Sequence, residues 1–347
     1  MRKDLNVRLA ASYVLGAALV LLCITASLRS SSFIPDTPVQ AAPPLVHSKT
    51  ISLPGVKGRF DHFALDLKGK RLFVAALGNN TLEAIDLAAG KPLRSLRGLG
   101  KPTGVLFLPD LDRLFVACGD DGVLGEFDGR TLERIKTIPG LDDADNIRFD
   151  PKAGLIYLGY GAGALAVIRA ATAETVARIL LPAHPESFQL ERTGTRIFVN
   201  VPEAGQIAVI DREPRAAAPT WPMADFKDNF PMALDEPDRR LFVGCRRPPC
   251  LLVLDATSGK RVADLAISGD IDDLFYDAAR RRIYASCGEG FVDIIENAGA
   301  DRFTRQSSLP TRAGARTSFF SPETGEYYLA VPERGPDEAE IRVFKVK

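Results

Sequence analysis

The residues best suited to chemistry recur at one place in a repeated pattern. Thirteen to eleven positions before each of seven aromatic residues, the chain carries a short, mostly polar triplet. The triplets are Phe60-Asp61-His62, Pro102-Thr103-Gly104, Ala144-Asp145-Asn146, Pro185-Glu186-Ser187, Asn229-Phe230-Pro231, Ile271-Asp272-Asp273 and Ala315-Arg316-Thr317. Polar groups that converge on a concave surface are the usual makings of a ligand site. The candidate ligand-binding residues are therefore Asp61, His62, Asp145, Asn146, Glu186, Asn229, Asp272, Asp273 and Arg316. Asp145, Glu186 and Asp272 could form an oxygen-rich ring, which suits a hard divalent cation such as Ca²⁺. His62 with Asp145 or Asp272 could instead hold Zn²⁺ or make an acid and base pair. A third reading is that the triplets only line a water-filled channel and link neighbouring units through hydrogen bonds.

What positions these residues is a repeat. The stretch Arg71 to Lys91 has a short apolar strand, a Gly78-Asn79-Asn80 turn, a second strand and a further turn, which is the composition of a β-hairpin. The aromatic marker of its first strand returns as Phe73, Phe115, Tyr157, Phe198, Phe242, Tyr284 and Tyr328, at steps of 42, 42, 41, 44, 42 and 44 residues. A nearly fixed period of this length predicts an all-β, seven-bladed propeller with four strands per blade. The seventh unit lacks an outer strand, and His47 to Leu53 stands alone ahead of the first. Pairing it beside Glu340 to Val346 would close the ring with one strand from each end of the body and leave no open edge. Asp66, Asp150, Asp235 and Asp277 end inner strands, where they are expected to accept bonds from the next turn's amides.

Other motifs are mostly excluded. With three histidines, a multi-histidine copper or zinc site is not expected. The five cysteines form neither a Cys-x-x-Cys nor a haem-attachment pattern. Cys118, Cys245 and Cys287 share one repeat position and read as small buried hydrophobes, while Cys245 and Cys250 bracket a hairpin tip that an oxidising compartment could close with a disulfide. Gly159 to Gly163 is glycine-rich but joins two strands, so it reads as a turn and not as a phosphate loop.

Lys plus Arg and Asp plus Glu are both 44, so no net field favours nucleic acid, and none is expected as a partner. The short arginine runs, Arg246-Arg247 among them, read as solvent-facing hairpin edges. Residues 1–30 place Arg2, Lys3 and Arg8 before an uncharged run from Leu9 to Leu28, long enough either for a secretory signal or for a helical membrane anchor. Residues 31–46 are rich in Ser, Pro and Ala and read as a tether, and 47–347 as the propeller. Both readings of the leader put the body in the periplasm or outside the cell, as a monomer.

The repeats resemble the YVTN family of seven-bladed propellers, surface-layer-like proteins of bacterial and archaeal envelopes. The resemblance rests on Arg71-Leu72-Phe73-Val74, Gly78-Asn79-Asn80-Thr81 and Ile85-Asp86, and again on Arg196-Ile197-Phe198-Val199-Asn200 with Ile210-Asp211. It implies an exported propeller without a catalytic motif to transfer. Seven-bladed relatives include lactone hydrolases and parts of periplasmic cofactor enzymes, so the fold does not choose an activity. Two expectations follow: a binding or interaction module that presents one channel mouth to a small molecule or an envelope protein, or a metal-assisted lactone or ester hydrolase at that mouth.

Overall fold

The computed structural model describes residues 43–213, 216–217, 219–299 and 301–347. These residues form seven antiparallel sheets, each a blade. In blade one the strands are Phe63–Asp66, Arg71–Ala76, Thr81–Asp86 and Lys91–Arg97, paired in chain order from the channel outward. The second strand of a blade lies between two neighbouring sheets, so both of its faces must be apolar. Arg71–Ala76 accordingly reads as an unbroken run, RLFVAA, buried from Leu72 onward, whereas the outer strand KPLRSLR is almost wholly exposed. The seven aromatic markers are all 0–1 % exposed, which identifies them as the recurring core anchor that set the period.

The core is correspondingly divided. Seven buried clusters lie at the seven junctions between adjacent blades; one joins Phe115 and Leu124 of blade two to Ile156 and Leu158 of blade three. The cluster that packs Ile51, Tyr328 and Ile341 against Phe63, Leu72 and Val74 joins blade seven to blade one. Closure follows the expected route: Leu45–Leu53 pairs antiparallel with Ala339–Val346, from Leu45 opposite Val346 to Leu53 opposite Ala339. The ring therefore has no seam that lacks a core.

Three expectations are corrected. The first concerns the helix placed before the propeller. The stretch assigned to it lies outside the described residues, and among the described residues there are only strands and two short 3-10 turns. No helix among them is long and apolar enough to cross a membrane. The second is the outer strand of blade four, expected as Ala216 to Trp221. It is two short bridges, Ala216–Ala217 and Trp221–Pro222, because Pro219 and Pro222 have no amide hydrogen to give a ladder. The third is the disulfide: Cys245 and Cys250 face each other in register but are free thiols packed in one apolar cluster. Burial pushes them up to about 12 and about 11, so both stay protonated in the folded protein.

The acids that end inner strands behave as expected. Asp66 accepts from the Gly69 amide at 2.8 Å and binds the Arg71 guanidinium, and Asp150 accepts from the Lys152 amide and pairs with Arg212.

Candidate functional site

A central channel opens at the end of the blades where the inner strands begin, and there it widens to a cavity of about 1180 Å³. Seven of the nine candidate residues line it: Asp61, His62, Asp145, Asn146, Glu186, Asp272 and Asp273. Two do not. The inner strand of blade five starts early, at Lys227, which places Asn229 within the sheet opposite Cys245, where it is fully buried and bonded to Asn200. Arg316 stands behind the wall and bonds Asp270 and Asp272.

The closest convergence joins blades one and three. One ligand atom from each of Asp61, His62 and Asp145 lies within 4.8 Å of the others, so the mouth contains a His/Asp/Asp cluster able to coordinate a divalent metal. His62 Nε2 is 3.0 Å from Asn146 Oδ1, while Asn146 Nδ2 donates to Asp145 Oδ2 at 3.2 Å. With the amide oriented by that second bond, Nε2 donates to Asn146 and Nδ1 is the nitrogen turned towards Asp61. Nδ1 lies 2.5 Å from Asp61 Oδ1, an ion-pair contact, and has no other polar neighbour in bonding distance among the described residues. A histidine held through one nitrogen, with the other beside two carboxylates, can bind a metal there by giving up its second proton to the solvent.

Charge is crowded here. Burial disfavours the imidazolium, but Asp61, and more distantly Asp145 and Asp273, outweigh it and raise His62 to about 10. Burial, with the charges of Asp145, Asp272 and Asp61, pushes Glu186 up to about 8. Burial also pushes Asp273 to about 7, and Asp145 is raised by burial and then by Asp61. Carboxyl groups this close cannot all ionise without a compensating cation. Glu186 makes no side-chain hydrogen bond among the described residues that would settle its charge.

The ring of Asp145, Glu186 and Asp272 expected to bind metal is not the cluster found. Asp272 is held by Arg246 and by Arg316, the latter at 3.2 Å, so its lone pairs are committed. Arg246, read from sequence as a solvent-facing hairpin residue, turns inward, bonds Asp272 and stacks over the Phe230 ring at 4.2 Å. Its only sequence signal was its place four residues after the Phe242 marker, past the end of a core run. Several mouth residues also join blades: Thr317 Oγ1 donates to the Phe60 carbonyl, and Asp273 accepts from the Ser318 amide at 2.6 Å. Gly104, the third residue of the blade-two triplet, is small because a Cβ there would lie 2.2 Å from the Asp145 carbonyl oxygen. Blade two thus sets the position of Asp145 by direct contact.

No family model matches the chain, and no curated protein matches it. Among solved structures it is similar to a chain of the mitotic checkpoint complex, with a TM-score of 0.72 and 14 % identity, over 95 % of this chain and 99 % of that one. It is also similar to a chain of Kuenenia stuttgartiensis hydrazine synthase, with a TM-score of 0.71 and 15 % identity, over 82 % and 99 %. At such identities the likeness establishes the fold alone, and this chain is, by its own strands and clusters, a seven-bladed propeller module with a central channel.

Proposed function

We propose that the channel mouth is the site of a metal-assisted hydrolase acting on a small lactone or ester. The observation that supports this reading most is the meeting of His62 Nδ1 with Asp61 and Asp145 carboxylates inside a large open cavity. One nitrogen and two carboxylate oxygens suit Zn²⁺ better than Ca²⁺, which prefers oxygen throughout, and three protein ligands leave a position open for water. Such an ion would polarise a carbonyl and lower the pKa of a bound water. Glu186 and Asp273 are the residues poised to move a proton, since their carboxyls are held near 8 and near 7 and a cation beside them would bring Glu186 closer to neutrality. Arg246 is placed to hold Asp272 ionised and away from the cation. Kinship with the YVTN repeats and a periplasmic or extracellular setting belong to the same proposal, supported by the repeat residues around Phe73 and Phe198.

The test is to strip the protein with a chelator, titrate Zn²⁺ by calorimetry and follow acid release from a panel of γ- and δ-lactones and aryl esters. One equivalent of Zn²⁺ should bind and restore hydrolysis, and Asp61→Asn with Asp145→Asn should abolish both. If Zn²⁺ binds equally to the double variant, the cluster is not the site. If Zn²⁺ binds at the cluster and no substrate is cleaved, the mouth is a ligand-binding site, which is the second reading and keeps the same residues.

A further inference from the structure

Below the mouth the channel has a second tier. Side chains two apart on a strand share a face and are separated by about 7 Å along it. Arg148 follows Asn146 in this way on blade three, Phe275 follows Asp273 on blade six, and Phe319 follows Thr317 on blade seven. All six line the one cavity. The first tier is polar, and the second sets one cation against an aromatic wall in which Phe275 and Phe319 meet edge to face at 6.1 Å.

Arg148 is an unusual tenant of this tier. Its Nη1 donates to the Ile147 carbonyl at 2.8 Å, and its guanidinium lies 5.6 Å from the centre of the Phe188 ring. Among the described residues no carboxylate lies within ion-pair distance of it. Three other arginines around the channel do have one: Arg246 holds Asp272, Arg316 holds Asp270, and Arg247 holds Asp228. A guanidinium lining this cavity that feels Asp273 and Asp145 only from beyond ion-pair distance, with most of its donor fork uncommitted, is matched to a planar anion brought by a ligand.

We infer that Arg148 anchors a carboxylate on the ligand, whose apolar or aromatic skeleton lies against Phe275 and Phe319 while its reacting carbonyl reaches the His62 cluster about 7 Å above. The substrate class is then a lactone or ester that also bears a free carboxylate. For the reacting end this rests on the hydrolase reading, whereas the anchor itself does not. Arg148 is a binding residue in this account and takes no part in bond cleavage.

The probes are benzoate, its neutral isostere benzamide, and inorganic phosphate, titrated by calorimetry into both Zn²⁺-loaded and chelator-stripped protein. Benzoate should bind more tightly than benzamide, and Arg148→Met should remove that preference by about tenfold or more, the usual worth of a charge-assisted pair, while Zn²⁺ still binds. Arg148→Lys keeps the stem and the charge but loses the fork; it should fall between the two, and it carries the test if the Met variant does not fold. Benzoate binding that is absent, equal to that of benzamide, or equal in wild type and Arg148→Met in both metal states overturns the inference. Phosphate binding as tightly as benzoate overturns the choice of carboxylate. A protein that binds no Zn²⁺ yet shows the Arg148-dependent preference would sink the hydrolase reading and leave the anchor standing.

Discussion

Glu186 and Glu236 are the same residue at opposite ends of the blades, and they are treated in opposite ways. Glu236 lies just past an inner strand. It accepts from the amides of Arg192, Thr193 and Gly194 at 2.7, 2.9 and 3.0 Å and from the Thr193 hydroxyl. Burial alone would raise it, but those four donors bring it down to about 2. Glu186 has no such donors and is pushed up to about 8 by burial and by neighbouring carboxylates. The contrast holds more widely: at the far end Asp66, Asp150 and Glu191 each have an arginine, while at the mouth Asp61, Asp145 and Glu186 have none within ion-pair distance among the described residues, and Asp61 and Asp145 share one histidine, His62. One end of the propeller uses its acids as structure. The other leaves them with charge to spend on a ligand.

This difference can be broken most severely at the structural end. Arg212 joins Asp150 to the carbonyls of Glu191 and Gly194, and both members of the ion pair have side chains only 9 % exposed. Arg212→Ala leaves a buried carboxylate unmatched and should cost about 3–5 kcal/mol in urea unfolding. A loss below 1 kcal/mol would mean that this end is not held by its ion pairs. Next in size is Gly104→Ala, whose new Cβ must displace the Asp145 carbonyl oxygen. It should cost about 1–3 kcal/mol in stability and lower Zn²⁺ affinity about tenfold, as loss of a supporting contact does; unchanged metal affinity would detach blade two from the site.

The third prediction concerns pH. Because Glu186 is raised from 4.5 to about 8, the folded state keeps its proton longer than the unfolded chain, so stability should fall as pH rises from about 4.5 to about 8. Asp273, raised from 3.8 to about 7, adds to the fall below neutrality. Melting curves of chelator-stripped protein should therefore decline by several degrees over this window, less steeply in Glu186→Gln, and saturating Zn²⁺ should flatten them. A stripped protein that grows more stable across that range contradicts the crowding. The smallest effect is at Glu236, where stability is fully present above about 4.5 and lost as pH falls through about 2. Since the group is largely solvated, Glu236→Gln should cost about 1 kcal/mol at pH 7 after screening, and progressively less as pH falls through about 2.

Phe73 and its six counterparts were legible in the sequence because a core position repeated seven times writes its spacing into the chain, and closure by the strand placed at His47 to Leu53 followed from the count of strands. Asp61, His62 and Asp145 were legible as a class, since their offset from the markers puts them ahead of inner strands. Their partnership was not. His62 meets Asn146 across 84 positions of sequence, and which acids converge depends on side-chain directions that local pattern does not encode. Arg246 was misread for the same reason, since an arginine at a hairpin tip can turn either way and Asp272 decides it. Arg148 was hidden inside a strand and becomes visible only when residues two apart are read together, Asn146 with Arg148. Asn229 failed because blade five starts its inner strand at Lys227, and nothing at that point of the sequence marks the early start.

The join between the first and last strands has a mechanical consequence. Leu45 lies opposite Val346, and the Lys347 amide donates to the Pro44 carbonyl at 2.9 Å, so the free ends of the two strands emerge side by side. A tension that draws these ends apart loads the ladder one rung at a time from that edge and peels it, where a pull along the strands would have to shear every rung together. The clasp that makes the ring continuous is thus strong against thermal motion and weak against traction on its own two tails.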